Sequence, residues 1–262
     1  MKKNAHRHFF FISKNHTIYV GDELMEIETF DNYKFLKFKV DNVVILFSTA
    51  SGGLNFNCHT DEGLANLEKI KTYYNLESIG YLNQIHSDLV FDFDGNIKDG
   101  DALITNKKNR AIGVFTADCV PVILVDTSRK IIAAIHSGWK GTNALIVSKT
   151  IERMQETYGT LTKNIRAYIG PHIGGCCYEV SNELIEEFTS KDIYSNIKIS
   201  NNNKLDLEKC IIAQLNAKGI KKDNIKITNT CTSCSKKYEL YSYRNSENKQ
   251  GRMFSFVYFE DI

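Results

Sequence analysis

Short apolar runs separated by polar turns dominate the pattern of this 262-residue chain and predict a protein rich in β-strands. The clearest runs are Ala111–Phe115, Val120–Val125 and Ile131–Ile135, which have strand lengths and many β-branched residues. A polar connector from Asp126 to Lys130 joins the last two runs and predicts an antiparallel hairpin. We expect the rest of the chain to be arranged around this stretch.

Similar apolar runs predict further strands on both sides of the hairpin. These are Lys34–Val40, Val43–Phe47, Leu103–Thr105, Ile165–Ile169, Ile225–Thr228, Leu240–Tyr243 and Met253–Phe259. Apolar residues at helical spacing predict four helices. They begin near Leu64, at Thr142 or Asn143, at Ser181 and at Leu205, and the second and fourth end at Gly159 and Gly219. Residues 1–33 carry little information.

The mixture of hairpins and helices is too irregular for a doubly wound parallel sheet and favours an α+β fold with mainly antiparallel sheets. Only two prolines and no Gly/Ser-rich tract occur in the chain, which predicts one domain over residues 1–262 with an N-terminal extension at residues 1–33. A net charge of +2, from 33 basic and 31 acidic residues, gives no sign of nucleic-acid binding.

No apolar run approaches the roughly 20 residues that span a bilayer, so no contact with a membrane is expected. The N-terminal basic residues precede only the short apolar run Phe9–Ile12, which is too short for a signal peptide. The seven cysteines form no disulfide framework, and a cytoplasmic protein with thiols or metal ligands is expected.

Cys119 stands where one strand of the central hairpin begins, and His136 stands where the next strand ends. In an antiparallel hairpin these positions share one rim of the sheet, so the two side chains should meet. His86, in the segment NQIHSD, could join them, although a lone histidine is more often a hydrogen-bonded surface or core residue. Two imidazoles and a thiolate with one open position describe catalytic zinc.

Two other chemistries use the same three side chains. A blue-copper centre also contains two histidines and a cysteine, but a multicopper oxidase needs many more imidazoles than the seven histidines available, so zinc is favoured. Without a metal, Cys119 could act as a nucleophile activated by His136, with glycines of the tight loop Ser137–Gly141 supplying oxyanion donors. Those glycines would also let the backbone pass close to whatever His136 holds.

Several other residues are candidates for a site wall. His172 shares a loop rich in glycine and proline with Cys176 and Cys177, which are equally well explained as small buried hydrophobic residues. Arg244 and Arg252 could bind an anion, although such arginines are more often solvated turn residues. The polar loop that ends at Asn55 has the composition of a ligand-binding loop or of an ordinary turn.

The pair Cys231 and Cys234 forms a single CxxC motif. A structural zinc site needs a second pair of ligands, and none is evident nearby in the sequence, so the motif is weak evidence for a metal.

The segments NQIHSD, DALIT, TADCVPVILVD, AAIHSGWKG, IGPHIGGCCYEV and the terminal SYR…GR resemble the YfiH/laccase-domain family, once described as polyphenol oxidases. The match runs from about Phe47 to Phe259. The resemblance implies a layered α/β/β/α sandwich and a zinc-containing purine nucleoside phosphorylase that also deaminates adenosine. It implies that His86, Cys119 and His136 are the zinc ligands.

Two departures from the family pattern concern phosphate. The family usually has arginine where this chain has Ala50, and the loop that follows is shortened before Asn55. A missing cation would weaken phosphorolysis more than deamination, since only phosphorolysis must hold the anion. Asp118 could act as a proton acceptor or partner of the site, or it could simply cap a strand.

The substrate implied is a small molecule, a purine nucleoside with phosphate, and a monomer or small homo-oligomer is expected. Three alternative functions stay open at the level of the sequence. They are a cysteine hydrolase or amidase that edits a peptidoglycan precursor, a copper-dependent polyphenol oxidase, and a non-catalytic interaction protein stabilised by zinc.

Overall fold

The computed structural model describes residues 18–20, 23–245 and 250–260. Within these ranges there are fifteen strands and five α-helices. The strands are β1 (Ile18–Val20), β2 (Glu23–Phe30), β3 (Tyr33–Val40), β4 (Val43–Ser48), β5 (Ser78–Gly80), β6 (Val90–Asp92), β7 (Ala102–Thr105), β8 (Arg110–Thr116), β9 (Val120–Asp126), β10 (Ile131–Ser137), β11 (Ile165–Ile169), β12 (Ser200–Asn201), β13 (Lys204–Leu205), β14 (Ile225–Ile227) and β15 (Met253–Phe259). The helices are α1 (Asp61–Tyr73), α2 (Trp139–Asn143), α3 (Ile146–Tyr158), α4 (Asn182–Thr189) and α5 (Leu207–Ala217). Short 3-10 turns lie at Ser51–Gly53, Thr162–Asn164, Asp192–Tyr194 and Lys222–Asn224.

Two large sheets and one short hairpin contain these strands. The first sheet has the order β1-β2-β3-β4-β15-β8-β5, and the second has the order β14-β11-β9-β10-β7-β6. Most neighbouring strands are antiparallel, while β5–β8, β6–β7 and β11–β14 are parallel. The predicted α+β class with mainly antiparallel sheets is therefore confirmed.

Three hydrophobic clusters divide the molecule into layers. One lies between the two sheets and includes Phe38 from the first sheet and Tyr168 from the second, whose ring centroids are 5.3 Å apart. A second joins the outer face of the first sheet to helix α1, and the third joins the outer face of the second sheet to α3 and α5. This is the α/β/β/α order that the resemblance implied.

Burial on both faces explains why the sequence shows continuous apolar runs instead of alternation. In β9, Val122 and Leu124 face the helices, whereas Ile123 and Val125 face the other sheet. Burial on both faces stabilises these strands by about 25 cal/mol for each Å² of apolar surface removed from water.

The central hairpin is confirmed. β9 and β10 are antiparallel, with His136 opposite Pro121 and Ser137 opposite Val120. Cys119, which immediately precedes Val120, therefore lies at the same rim as His136.

Local structure after β10 differs from the prediction. The segment Ser137–Gly141 was expected to be a tight loop, but helix α2 begins there at Trp139 with Gly138 as its N-cap residue. The next helix, α3, starts at Ile146 after Leu145 in a left-handed conformation, so neither Thr142 nor Asn143 caps it. Thr142 is instead buried, and its hydroxyl makes a hydrogen bond of 2.8 Å with that of Ser137.

Other boundaries are partly as predicted. Gly159 ends α3 in a left-handed conformation, and Ser181 caps α4 through its hydroxyl. Asp206 is the N-cap residue of α5, so that helix starts slightly later than predicted. Residues 240–243 form no strand, which corrects the prediction made from their aromatic side chains.

Part of the N-terminal extension also has structure. Residues 23–30 form β2, a strand that the sequence did not indicate. The apolar run Phe9–Ile12, from which the absence of a signal peptide was inferred, lies outside the described residues. In the part of the chain that the structure describes, no helix is both long enough and apolar enough to cross a bilayer.

Candidate functional site

Three side chains from separate elements converge at one rim of the second sheet. Cys119 immediately precedes β9, His136 is near the end of β10, and His86 lies in the connection between β5 and β6. One donor atom from each lies within 4.8 Å of the others. The Cys119 Sγ is 3.8 Å from the His86 Nε2, and the two imidazole rings are 4.8 Å apart and nearly perpendicular.

A buried carboxylate holds two of these three residues. Asp101 has no exposed surface, and its Oδ1 lies 2.7 Å from the His136 Nδ1. The same carboxylate accepts hydrogen bonds from the backbone N–H groups of His86 and Ser87, and Ser87 also donates its hydroxyl. Because the Nδ1 of His136 faces Asp101, its Nε2 is left for the pocket, as in metal sites where a carboxylate orients a histidine ligand.

The backbone at His86 adopts an uncommon conformation that Asp101 stabilises. His86 has a φ of 59°, in the left-handed region that non-glycine residues rarely adopt. The two N–H groups that this turn exposes both donate to Asp101. The conformational cost is therefore offset by hydrogen bonds to a charged group, which are stronger than neutral ones.

The charges of the site reinforce one another. Burial alone would raise the pKa of the Cys119 thiol, but His136 and His86 outweigh it and lower that pKa to about 6. Burial would likewise lower the pKa of His136, but Cys119 and Asp101 raise it to about 9. Burial also opposes the charged form of Asp101, yet hydrogen bonds from His136 and Ser87 lower its pKa. The site therefore favours a thiolate next to an imidazolium when no metal is bound.

Gly138 lets the backbone pass close to His86 and Cys119, as its position after His136 predicted. A Cβ atom at Gly138 would lie 2.9 Å from the His86 Cδ2 and 3.0 Å from the Cys119 Sγ. A side chain at this position would therefore force His86 or Cys119 to move.

A cavity of about 490 Å³ opens over the three donors. Its polar lining residues are Asn57, His59, Asn83, Gln84, Asp118, Arg244 and Arg252, and its aromatic ones are Phe115, Trp139, Tyr178 and Tyr243. This volume lies in the range of small-molecule sites, and the mixture of aromatic faces with a few charged groups is typical of them.

Asp118 lies in the wall of this cavity with both carboxylate oxygens engaged. Its Oδ1 accepts a hydrogen bond of 2.6 Å from the Thr232 hydroxyl, and its Oδ2 accepts one of 2.8 Å from the backbone N–H of Arg244. Its φ of 90° is strained for a residue with a side chain. Asp118 thus connects the entry to β9 with the segment before β15.

The two arginines also line the cavity. The Arg244 Nη1 donates to the Glu179 carbonyl at 2.8 Å, and its guanidinium lies 5.0 Å from the centre of the Tyr178 ring. The Arg252 Nη1 donates to the Gly251 carbonyl at 2.9 Å. Both arginines line the cavity, where Arg244 is exposed and Arg252 is half-buried.

The remaining predicted residues do not line the cavity. The Asn55 Oδ1 accepts a hydrogen bond from the backbone N–H of Arg252, so Asn55 contacts the site only through its neighbour. His172 is buried, with its Nδ1 2.8 Å from the Gly170 carbonyl and its Nε2 3.5 Å from Glu208. Ala50 is buried as well, and its N–H donates to the Glu239 carbonyl.

Sequence reasoning did not assign several residues of the site, of which Asp101 and His59 are two. Asp101 belongs to the segment DALIT, where an acidic residue immediately before a wholly apolar strand was a signal that it is buried and paired. His59 lines the cavity from the turn before α1, and nothing in its local sequence indicates that placement.

The donor set suits a zinc ion. Two imidazoles, one of them oriented by a carboxylate, and one thiolate form a three-ligand site whose open side faces a cavity. Copper accepts the same ligands, so the set by itself does not name the metal.

Comparisons with known proteins show which family the chain resembles. Residues 47–260 match the family model described as multi-copper polyphenol oxidoreductase laccase. A protein of Clostridium acetobutylicum named purine nucleoside phosphorylase is 48% identical over 235 residues, which cover 89% of this chain and 99% of that protein. A protein of an unknown prokaryotic organism named adenosine deaminase RL5 is 34% identical over 163 residues, covering 60% of this chain and 62% of that one.

A solved structure shares the fold. The Bacillus licheniformis hypothetical protein YfiH superposes with a TM-score of 0.79 at 26% identity, covering 88% of this chain and 100% of that one. The family match spans most of the chain and includes every strand of the site. The chain therefore belongs to the multi-copper polyphenol oxidoreductase laccase family, whose members include the YfiH-like proteins.

Proposed function

We propose that this protein is a purine nucleoside phosphorylase that uses a zinc ion held by His86, Cys119 and His136. The observation that carries the proposal is the convergence of these three donors on one side of a cavity of small-molecule size. The name of the Clostridium acetobutylicum relative, which aligns over nearly its whole length, supports the reaction class.

The metal, the arginines and the aromatic rings of the cavity would have different roles in this reaction. A bound zinc ion would supply a Lewis acid next to the substrate. Arg244 and Arg252 bring positive charge to the cavity and can hold phosphate through bidentate hydrogen bonds. The rings of Trp139 and Tyr178 offer apolar faces to the purine.

In phosphorolysis a phosphate oxygen forms a bond to C1′ of the ribose while the bond from C1′ to the purine nitrogen breaks. The purine leaves with the electron pair and takes up a proton. Binding both reactants in one cavity makes their reaction effectively unimolecular, which lowers the entropic part of the activation barrier. The protein's own contribution is therefore to hold the phosphate and nucleoside in contact.

The test is incubation of purified, zinc-loaded protein with inosine and phosphate, followed by chromatography. We expect hypoxanthine and ribose 1-phosphate, with no release of base when phosphate is omitted. Cys119→Ser should abolish the reaction, and chelation should abolish it until zinc is returned. Absence of both base release and deamination in metal-replete protein would contradict the proposal. Turnover that survives chelation but not Cys119→Ser would favour a metal-free cysteine mechanism.

Adenosine deamination is the second candidate, supported by the relative named adenosine deaminase RL5. This reaction replaces the exocyclic amine with an oxygen from water and needs no anion. Because this chain has Ala50 where the family usually has arginine, we expect deamination to be the better retained of the two activities. Incubation with adenosine in the absence of phosphate should release inosine and ammonia, and failure to do so would remove this candidate.

A further inference from the structure

Four cysteines gather outside the cavity. Cys176 and Cys177 follow β11 in one loop, and Cys231 and Cys234 follow β14 in another. Their sulfur atoms all lie within 4.8 Å of one another, with the Cys176 Sγ 3.6 Å from the Cys234 Sγ. The fold thus supplies the second pair of ligands that the CxxC motif lacked, and Cys176 is exposed instead of being a buried hydrophobic residue.

The spacing fits a tetrathiolate metal site. Four sulfurs around one zinc ion, each at about 2.3 Å from it, are about 3.8 Å apart in a tetrahedron. The distance between the Cys176 and Cys234 sulfurs is close to that value and well beyond a disulfide bond of about 2.05 Å. Four thiolates in a tetrahedron are typical of zinc and of iron–sulfur centres, and zinc is the structural metal of such closed sites.

Backbone N–H groups around the cluster favour the thiolate of Cys231. The backbone N–H of Gly174 donates to the Cys231 Sγ at 3.3 Å, and those of Ser233 and Cys234 face the same sulfur. The Lys204 ammonium, 2.7 Å from the Cys176 carbonyl, brings a positive charge next to the cluster. N–H donors and a nearby cation offset the negative charge that four thiolates retain around a divalent ion.

The cluster lies near the start of a long irregular segment between β14 and β15. From the end of β14 to the start of β15, the described residues contain neither helix nor strand. Irregular segments of this length in a compact fold are uncommon unless they are functional. This segment carries Tyr243, Arg244 and Arg252 to the cavity. A metal bound near its start would join it to the loop after β11.

One residue of the motif also contacts the site. Thr232, between Cys231 and Cys234, donates its hydroxyl to Asp118, and its backbone N–H donates to the His172 carbonyl. Asp118 is adjacent to Cys119 and also accepts the N–H of Arg244. Asp118 thus links the CxxC loop to the cavity wall, because its carboxylate accepts one hydrogen bond from Thr232 and another from Arg244.

We propose that Cys176, Cys177, Cys231 and Cys234 bind a second, structural zinc ion that clamps the segment between β14 and β15 onto the loop after β11. The site is closed by four protein ligands and takes no part in the chemistry. It does not depend on the proposed function.

The test is elemental analysis of the full-length protein purified without added metal. We expect two zinc ions per chain in the wild type and one in Cys231→Ser/Cys234→Ser. Cys119→Ser should lose only the zinc of the cavity, so the two sites are counted separately. Cys58→Ser, which removes a thiol outside both clusters, should keep both ions.

A second measurement does not require the cysteine variants to fold. Wild-type and Cys119→Ser protein reconstituted with cobalt should both show the intense sulfur-to-cobalt charge-transfer band of a tetrathiolate. A zinc content that is the same in the wild type and in Cys231→Ser/Cys234→Ser would overturn the proposal. A disulfide among the four cysteines in protein purified anaerobically, detected by the loss of hydrogen mass, would also overturn it.

Discussion

At the scale of single residues, Asp101 organises the candidate centre more than any other side chain. It contacts His136 through the ring and His86 through the backbone, and it lies with no exposed surface under both. Four donors share its two oxygens, so the charged form is required. The sequence pattern drew attention to the three candidate donors, whereas the geometry shows how they are held.

Asp101→Asn tests this arrangement. The amide has the same shape but only one acceptor oxygen, so it leaves a donor of His136 or Ser87 without a partner. We expect the affinity for zinc in the cavity to fall by about 10–100-fold, measured by competition with a chelator. Asp99→Asn is the matched control, because Asp99 is exposed and its carboxylate accepts a hydrogen bond from the Asn83 side chain. Equal affinities in the two variants would contradict the role given to Asp101.

The thiol of Cys119 should lose its proton at an unusually low pH in metal-free protein. Its pKa of about 6 means that the folded state holds a thiolate. The stability that this thiolate adds to the fold is fully present above the pKa of Cys119 in the unfolded chain, and it is lost as the pH falls through about 6. The raised pKa of His136 adds stability that is fully present below the pKa of His136 in the unfolded chain and is lost as the pH rises through about 9. The ion pair therefore stabilises the metal-free fold between about pH 6 and pH 9.

Alkylation measures this directly. We expect iodoacetamide to modify Cys119 at a rate that declines only below about pH 6, quantified by mass spectrometry of the Cys119 peptide. Cys58 is the internal control, since burial raises its pKa and its rate should decline at much higher pH. Zinc should protect Cys119. A pH profile of Cys119 that matches that of Cys58 would disprove the thiolate–imidazolium pair.

At the scale of elements, the site depends on the hairpin of β9 and β10 and on the turn from β10 into α2. The register of the hairpin places Cys119 and His136 at one rim, and the turn brings Gly138 against both His86 and Cys119. Strands buried on both faces hold the donors with little freedom, which a preorganised metal site requires.

Gly138→Ala tests the turn. The φ of −72° at Gly138 is accessible to alanine, so the added methyl group is excluded only by contacts. Since those contacts are with His86 and Cys119, we expect zinc binding in the cavity to be weakened by at least about tenfold while the fold persists, because the donors must move apart. Lys140→Ala, an exposed change in α2, is the control. Zinc affinity in Gly138→Ala equal to that of Lys140→Ala would show that the close approach has no effect.

At the scale of the whole molecule, the two sheets share one apolar layer. Phe38 has no exposed surface and contacts Tyr168 of the opposite sheet as well as Phe47 of its own. The cavity lies at the edge of this layer, so its walls come from both sheets and from the segment before β15.

Phe38→Ala tests the contribution of that layer. We expect the free energy of unfolding to fall by about 3–5 kcal/mol, measured by urea titration, because a large cavity opens between the sheets. Leu161→Ala, at a side chain that is 50% exposed, should change it by less than about 0.5 kcal/mol. A loss for Phe38→Ala no larger than that of the control would mean that the sheets do not stabilise each other.

The sequence by itself determined the class of the fold and the central hairpin. Long apolar runs with β-branched residues form strands wherever both faces are covered, so local pattern was enough for β8, β9 and β10. The hairpin then placed Cys119 beside His136 by register alone. Local pattern failed at α2, at β2 and at residues 240–243.

Only the tertiary structure decided which distant groups meet. His86 joins the centre, Asp101 lies beneath it, and two cysteine pairs more than fifty residues apart form one cluster. His172, which shares a loop with one pair, is buried away from the cavity. The physical reason is that periodicity fixes which face of an element is buried, whereas the packing of the layers fixes which loops come together at their edges.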